Sequence, residues 1–183
     1  MNVYAESSAV LAWLLGDEGG DDVRERLSAA ELVLTSELAL IECDRVLHRA
    51  AALGELSEAE ALARRTLFST AAEHWAVFAI DGEMAERARR PFPREPLRTL
   101  DAIHVATALA IRSLVTGLHL MSLDERIRRR YIASPMLSAL ADRSSVNATP
   151  RPLSAANTSK LRQGVRNPIG SPVKGRTAYS GRN

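Results

Sequence analysis

Residues 97–109 read LRTLDAIHVATAL. From Ala102 onward the run is small and apolar, the composition of a buried helix. Asp101 nevertheless stands at its start, where a carboxylate costs free energy unless a cation or hydrogen-bond donor meets it. Thr99 is the expected N-cap, so Asp101 falls in the first turn, where the backbone dipole favours negative charge. Upstream, PFPREP (91–96) is a breaker loop, WAVFAI (75–80) reads as a buried strand, and Asp81 caps a helix to about Arg90. Downstream, GLHLMS (117–122) reads as a strand before a short helix near Asp124 to Arg130.

The N-terminal half repeats this alternation. VYA (3–5) is a strand, and Ser7 or Ser8 can cap a helix running to the turn at Gly16. ELVLT (31–35) is the next strand. Ser36 caps a helix from about Glu37 to Ala52 that ends at Gly54, and Ser57 with Glu60 has capping-box spacing for a helix to about residue 70. Strands separated by helices imply crossover connections, and so an α/β fold with a short, mostly parallel sheet covered on both faces.

Ligands in such sheets collect at the carboxyl ends of the strands. Glu6 follows the first strand directly, and Asp124 comes two residues after the last. Asp101 can approach from its helix, and Glu42 interrupts the apolar stripe of its own, four residues from both Leu38 and Val46. Taken singly, each acid has a structural use: Glu6 or Asp124 as a helix cap, Glu42 paired with Arg45 or Arg49, Asp101 paired with Arg98. As a set they predict a cation, because converging carboxylates raise one another's pKa unless one neutralises them. Oxygen ligands favour Mg²⁺ or Mn²⁺ over zinc.

The bulk properties restrict the alternatives. The chain has 183 residues, 46% of them hydrophobic, enough for one domain with an appendage. Cys43 is alone, which excludes a disulfide framework or a CxxC zinc site and suits a reducing compartment. The N-terminal segment has no basic start and meets Asp17 and Glu18 early, so neither a signal peptide nor a membrane span is expected, and the reading is cytoplasmic. Residues 1–140 carry 16 arginines and no lysine against 21 acids, a net −5, whereas 141–183 carry 6 arginines and 2 lysines against one acid, a net +7. That Ser-, Pro-, Gly- and Asn-rich segment is expected to be a basic, disordered tail, and its charge alone does not identify a nucleic-acid partner. There is no Walker loop or GxGxxG, and residues 1–140 lack the lysine that a phosphoacceptor receiver would place near its acids. His104 is expected to be a packed or surface side chain, and Trp13 and Trp75 to be core.

In order along the chain, VYAESSAVLAWLL, TSELALIECDRVLHRA, LRTLDAIHVATAL and LMSLDERI resemble the motifs of PIN-domain ribonucleases, in particular VapC-type toxins of bacterial toxin–antitoxin pairs. The third is the most specific. The resemblance covers about residues 1–130 and implies a PIN-like three-layer α/β/α domain over 1–135, followed by the 141–183 tail. It also implies an endoribonuclease that uses Mg²⁺ or Mn²⁺, with Glu6 and Asp101 as direct ligands and Asp124 and Glu42 as further ligands or holders of the ion's water. Ser8 would orient these groups by hydrogen bonding. An RNA substrate, a VapB-type antitoxin and a homodimer follow from the same resemblance, and Arg45, Arg49 and Arg98 are candidate phosphate contacts at the rim.

Two departures stand out. Glu6 occupies the place of the family's usual Asp, and RIRRRYIASPMLSALADRSS departs from its usual C-terminal helix and strand. They keep open a catalytically impaired PIN-like domain that binds protein or RNA. A metal-dependent phosphatase or a DNA-directed nuclease on the same scaffold is a further alternative.

Overall fold

The computed structural model describes residues 1–134; the 141–183 segment lies outside the described residues. Four strands, β1 (Asn2–Ala5), β2 (Leu32–Ser36), β3 (Ala76–Phe78) and β4 (Leu118–Met121), form a parallel sheet in the order β3-β2-β1-β4. Among the described residues the helices are α1 (Ser7–Leu15), α2 (Gly20–Ala29), α3 (Glu37–Ala52), α4 (Glu58–Ala72), α5 (Gly82–Arg89), α6 (Thr99–Arg112) and α7 (Glu125–Ala133). The chain steps outward from β1 to β3 and then returns to place β4 on the other side of β1. The strand order therefore reverses between β1 and β4, and the crevice beyond their carboxyl ends is where an open α/β sheet takes a ligand.

Side-chain alternation along the strands sorts the core into two layers. Val3, Ala5 and Val33 pack with Val10, Trp13, Leu27, Leu47 and Phe68 under α1 to α4. Tyr4, Leu34 and Phe78 face the other way, onto Ala108 and Ile111 of α6 and Tyr131 of α7. Helices thus cover both faces of the sheet, giving the expected three-layer α/β/α arrangement. No helix among the described residues is long and apolar enough to cross a membrane.

Three expectations change. WAVFAI pairs only through Ala76–Phe78, because β2 ends at Ser36 opposite Phe78 and α3 begins at the next residue. The N-cap of α1 is Glu6 rather than Ser7 or Ser8, and α6 starts from Arg98, with no side-chain cap, rather than from Thr99. Helix α2 was not foreseen: only Val23 and Leu27 mark its buried face in a segment dominated by charge. Its start depends on Gly20, where a Cβ would lie 2.3 Å from the Ala12 carbonyl oxygen, so the α1–α2 corner closes only over a hydrogen.

Candidate metal centre

Glu6 sits where the central strand stops pairing. Its N–H donates to the Met121 carbonyl at 3.0 Å, extending the β1–β4 ladder by one residue, while its own carbonyl accepts from Ala9 and Val10 at the start of α1. The side chain then folds over that helix N-terminus and accepts from the Ser8 N–H at 3.1 Å. Three hydroxyls complete its surroundings. Ser7 Oγ donates to Oε1 at 2.6 Å, Ser122 Oγ donates to Oε2 at 2.8 Å, and Ser8 Oγ also donates to Oε2. The carboxylate is 2% exposed, so these donors replace the water it has lost.

Two helices on opposite faces of the sheet meet above this point. Glu42 comes from the first half of α3 and His104 from the first half of α6, and His104 Nε2 lies 2.6 Å from Glu42 Oε2 and 3.6 Å from Glu6 Oε1. Glu6, Glu42 and His104 each present a ligand-type atom within 4.8 Å of the other two. Burial works to raise the Glu42 pKa, but the hydrogen bond with His104, the charge that ring carries when protonated, and the nearby Ser7 hydroxyl outweigh it and hold the carboxyl below its ordinary range. Close by, burial pushes the Cys43 thiol well up, with the charges of Glu42 and Glu6 adding to it; a thiolate is therefore absent at neutral pH.

Asp124 and Asp101 form a second, more open group. Asp124 caps α7 through the Arg126 N–H at 2.7 Å, and the Arg126 guanidinium grips both of its oxygens, Nε at 3.2 Å and Nη2 at 2.7 Å. That hydrogen bond is the main reason the Asp124 carboxyl lies below its ordinary range. Asp101 adds its charge at Arg126, behind that of Asp124. The groups are joined through serine: Ser8 Oγ accepts from the Leu123 and Asp124 N–H groups at 2.9 and 3.2 Å, and Ser122 Oγ accepts from the Asp124 N–H at 3.1 Å. The hydroxyls that hold Glu6 therefore also hold the backbone of Asp124.

The predicted residues are thus brought together in two steps. Glu6 and Glu42 converge directly, Asp124 is tied to them through Ser8 and Ser122, and Asp101 shares Arg126 with Asp124 without entering the close cluster. Glu42 takes His104 rather than Arg45 or Arg49; His104, expected to be a packed or surface side chain, is packed, and its ring edge also enters the acid cluster. His104, three residues later in the same apolar run, is as out of place there as Asp101. Ser122 was also missed, although it lies between a strand end and Asp124. Arg45 and Arg49 continue the Glu42 face of α3 at the i+3 and i+7 positions and line a surface groove of about 580 Å³ with Val46, His48 and Ala52.

In donor chemistry the site fits a hard divalent cation, with two carboxylates converging at a helix N-terminus and Asp124 tied to them through serine. The full four-acid set is not drawn into one shell, since Arg126 occupies the oxygens of Asp124.

Residues 3–133 match the family model described as PIN domain. Among solved structures, the crystal structure of Mycobacterium tuberculosis VapC20, described as a sarcin–ricin-loop-cleaving toxin, matches with a TM-score of 0.50 and 17% sequence identity, over 74% of this chain and 98% of that one. At that identity the likeness is one of fold. No curated protein matches the chain.

Proposed function

Because the chain belongs to the PIN domain family, we propose that it is a Mg²⁺- or Mn²⁺-dependent endoribonuclease acting in the cytoplasm, the toxin of a VapC-type pair. The observation that carries this reading is the convergence of Glu6 and Glu42 above the β1–β4 reversal, with Asp124 hung on the same serines. Two motif acids from separate segments converge at the sheet edge where an α/β fold takes its ligand, and a third is tied to them through shared serines. The toxin whose fold it shares is described as cutting an RNA loop, which supports RNA as the substrate class.

Glu6 and Glu42 would hold the cation, Asp124 and Asp101 would complete its surroundings, and Ser7, Ser8 and Ser122 would fix the carboxylate of Glu6. When bound, the ion supplies positive charge to the scissile phosphate and lowers the pKa of water. The chain's own part is placement: charge-assisted hydrogen bonds lock Glu6, and burial excludes competing water. Arg126, exposed on α7, can turn from Asp124 to a phosphate. Arg45 and Arg49 extend the Glu42 face as further phosphate contacts, and Arg98, exposed at the start of α6, is another. A VapB-type antitoxin covering the acids and a homodimer belong to the same proposal.

The test uses purified wild-type and Asp101→Asn protein on labelled single-stranded RNA and the matching DNA, with Mg²⁺, Mn²⁺ or EDTA. Cleavage of RNA by the wild type alone, and only with metal, is expected. Full activity in Asp101→Asn removes the site. Cleavage of DNA in preference to RNA replaces the substrate, and no cleavage by either protein favours a PIN-like binding module.

A further inference from the structure

His104 is 2% exposed, and its two ring nitrogens meet different surroundings. Nε2 faces oxygens of Glu42 and Glu6, whereas Nδ1 is buried with no hydrogen-bond partner among the described residues. The location of the ring proton decides what this residue can do. If Nδ1 carried the proton, a buried N–H would go unsatisfied, and the Nε2 lone pair would point at a carboxylate oxygen 2.6 Å away. Both are unfavourable. A proton on Nε2 alone removes both problems at once, since a bare ring nitrogen costs less to bury without a partner than an N–H does.

A histidine that ligates a metal through Nε2 needs the opposite arrangement: the lone pair on Nε2 and an Nδ1–H donated to a carbonyl or carboxylate. Among the described residues no such second partner stands at Nδ1. Taking Glu6 and Glu42 as holders of the cation, as proposed above, we infer that His104 is not a ligand but a positioning residue, an Nε2–H donor that clamps Glu42 over the sheet edge beside Glu6. Glu42 lies on a helix of one layer and His104 on a helix of the other, so the bond also fixes how the two layers close over the site. One Glu42 oxygen is occupied by His104, and the other is left for the ion.

Two readouts test this, neither of which is activity. In ¹⁵N-histidine-labelled protein, ring correlation spectra of the four histidines, assigned with single His→Gln variants, locate the proton without any metal present. The expected result places it on Nε2 of His104; a bare Nε2 overturns the assignment. In Mn²⁺ titrations followed by electron paramagnetic resonance, His104→Leu should weaken binding by about 10- to 100-fold, the usual effect of losing a group that orients a ligand. His104→Gln, whose amide N–H reaches the Nε2 position, should restore affinity to within a few fold, and the wild-type spectrum should carry no coupling to a coordinated ring nitrogen. Such a coupling, lost in both variants, makes His104 a ligand, and wild-type affinity in a folded His104→Leu removes the clamp. A wild-type protein that takes up no Mn²⁺ overturns the cation reading itself, and the positioning role with it. A bare Nε2 in protein that does bind Mn²⁺ overturns only the role of His104.

Discussion

Two substitutions at Glu6 separate the length of this side chain from its charge. Glu6→Gln keeps the length: the amide oxygen can take the place of Oε2 and retain Ser8 N, Ser8 Oγ and Ser122 Oγ, while the Ser7 hydroxyl turns to accept from the amide nitrogen. The loss is charge assistance, about 1 kcal/mol for each of these bonds. Against it stands the removal of a buried carboxylate next to Glu42, a desolvation cost of several kcal/mol. The Gln variant should therefore stay within about 2 kcal/mol of the wild type. Glu6→Asp restores the family's usual residue and keeps the cap on Ser8, but it draws the carboxylate back by about 1.5 Å. Ser7 and Ser122, now 2.6 and 2.8 Å away, lose contact. With about 1.5–3 kcal/mol for each bond to a charged group, partly recovered by the 3.2 Å Ser8–Ser122 contact, the cost is about 2–4 kcal/mol. Urea unfolding followed by circular dichroism should thus rank Gln above Asp. Mn²⁺ titration should rank Asp above Gln, with Gln weakened by more than about 100-fold, beyond the usual effect of an outer group. The same order in both assays, or wild-type Mn²⁺ affinity in Glu6→Gln, would refute the assignment of Glu6 as a charged ligand held by serines.

Gly20→Ala should destabilise the domain by about 1–3 kcal/mol or more, since its Cβ meets backbone rather than a movable side chain; an unchanged urea midpoint would count against the tight α1–α2 corner. Arg126→Gln should let the Asp124 carboxyl titrate nearer its ordinary range. A depressed folded pKa stabilises above the ordinary carboxylate range and is lost as pH falls through the depressed value, so any stability deficit of this variant should be present at neutral pH and vanish in acid; thermal melts across pH check the sign. Cys43, buried and held protonated, should resist a thiol reagent at pH 8 in the native protein and react fully once urea unfolds it, and rapid native labelling would contradict its burial.

The sheet was legible because each strand is a short apolar run bounded by caps and turns, and the caps at Ser36, Ser57, Asp81 and Asp124 lie where the pattern puts them. Helix α2 was not, because a helix held by only two buried apolar residues and a buried glycine leaves almost no periodic signal. At the site, acids near strand ends and in apolar stripes announced themselves. Their partners did not: whether Glu42 pairs along its own helix or across to α6 depends on how two layers close over the sheet, which no local spacing encodes. Arg126 escaped for a related reason, since an arginine two residues after a capping acid reads as an exposed charge until the helix start curls it back onto both oxygens.

These partners bear on whether the site is assembled by the ion or before it. Two carboxylates in a mostly buried cluster repel, and many small metal sites hold together only with the metal in place. Here the protein supplies the compensation itself: four donors on Glu6, His104 on Glu42, Arg126 on Asp124. Neither core layer contains the acids, so the folded state should not depend on the cation. Dialysis against EDTA should leave a cooperative thermal transition and an unchanged far-ultraviolet spectrum. Added Mn²⁺ should stabilise the domain only through mass action, by about 2.7 kcal/mol at a hundred times its Kd. A chain that unfolds on chelation would show that the hydroxyls and the histidine do not suffice, and that the ion is part of the fold.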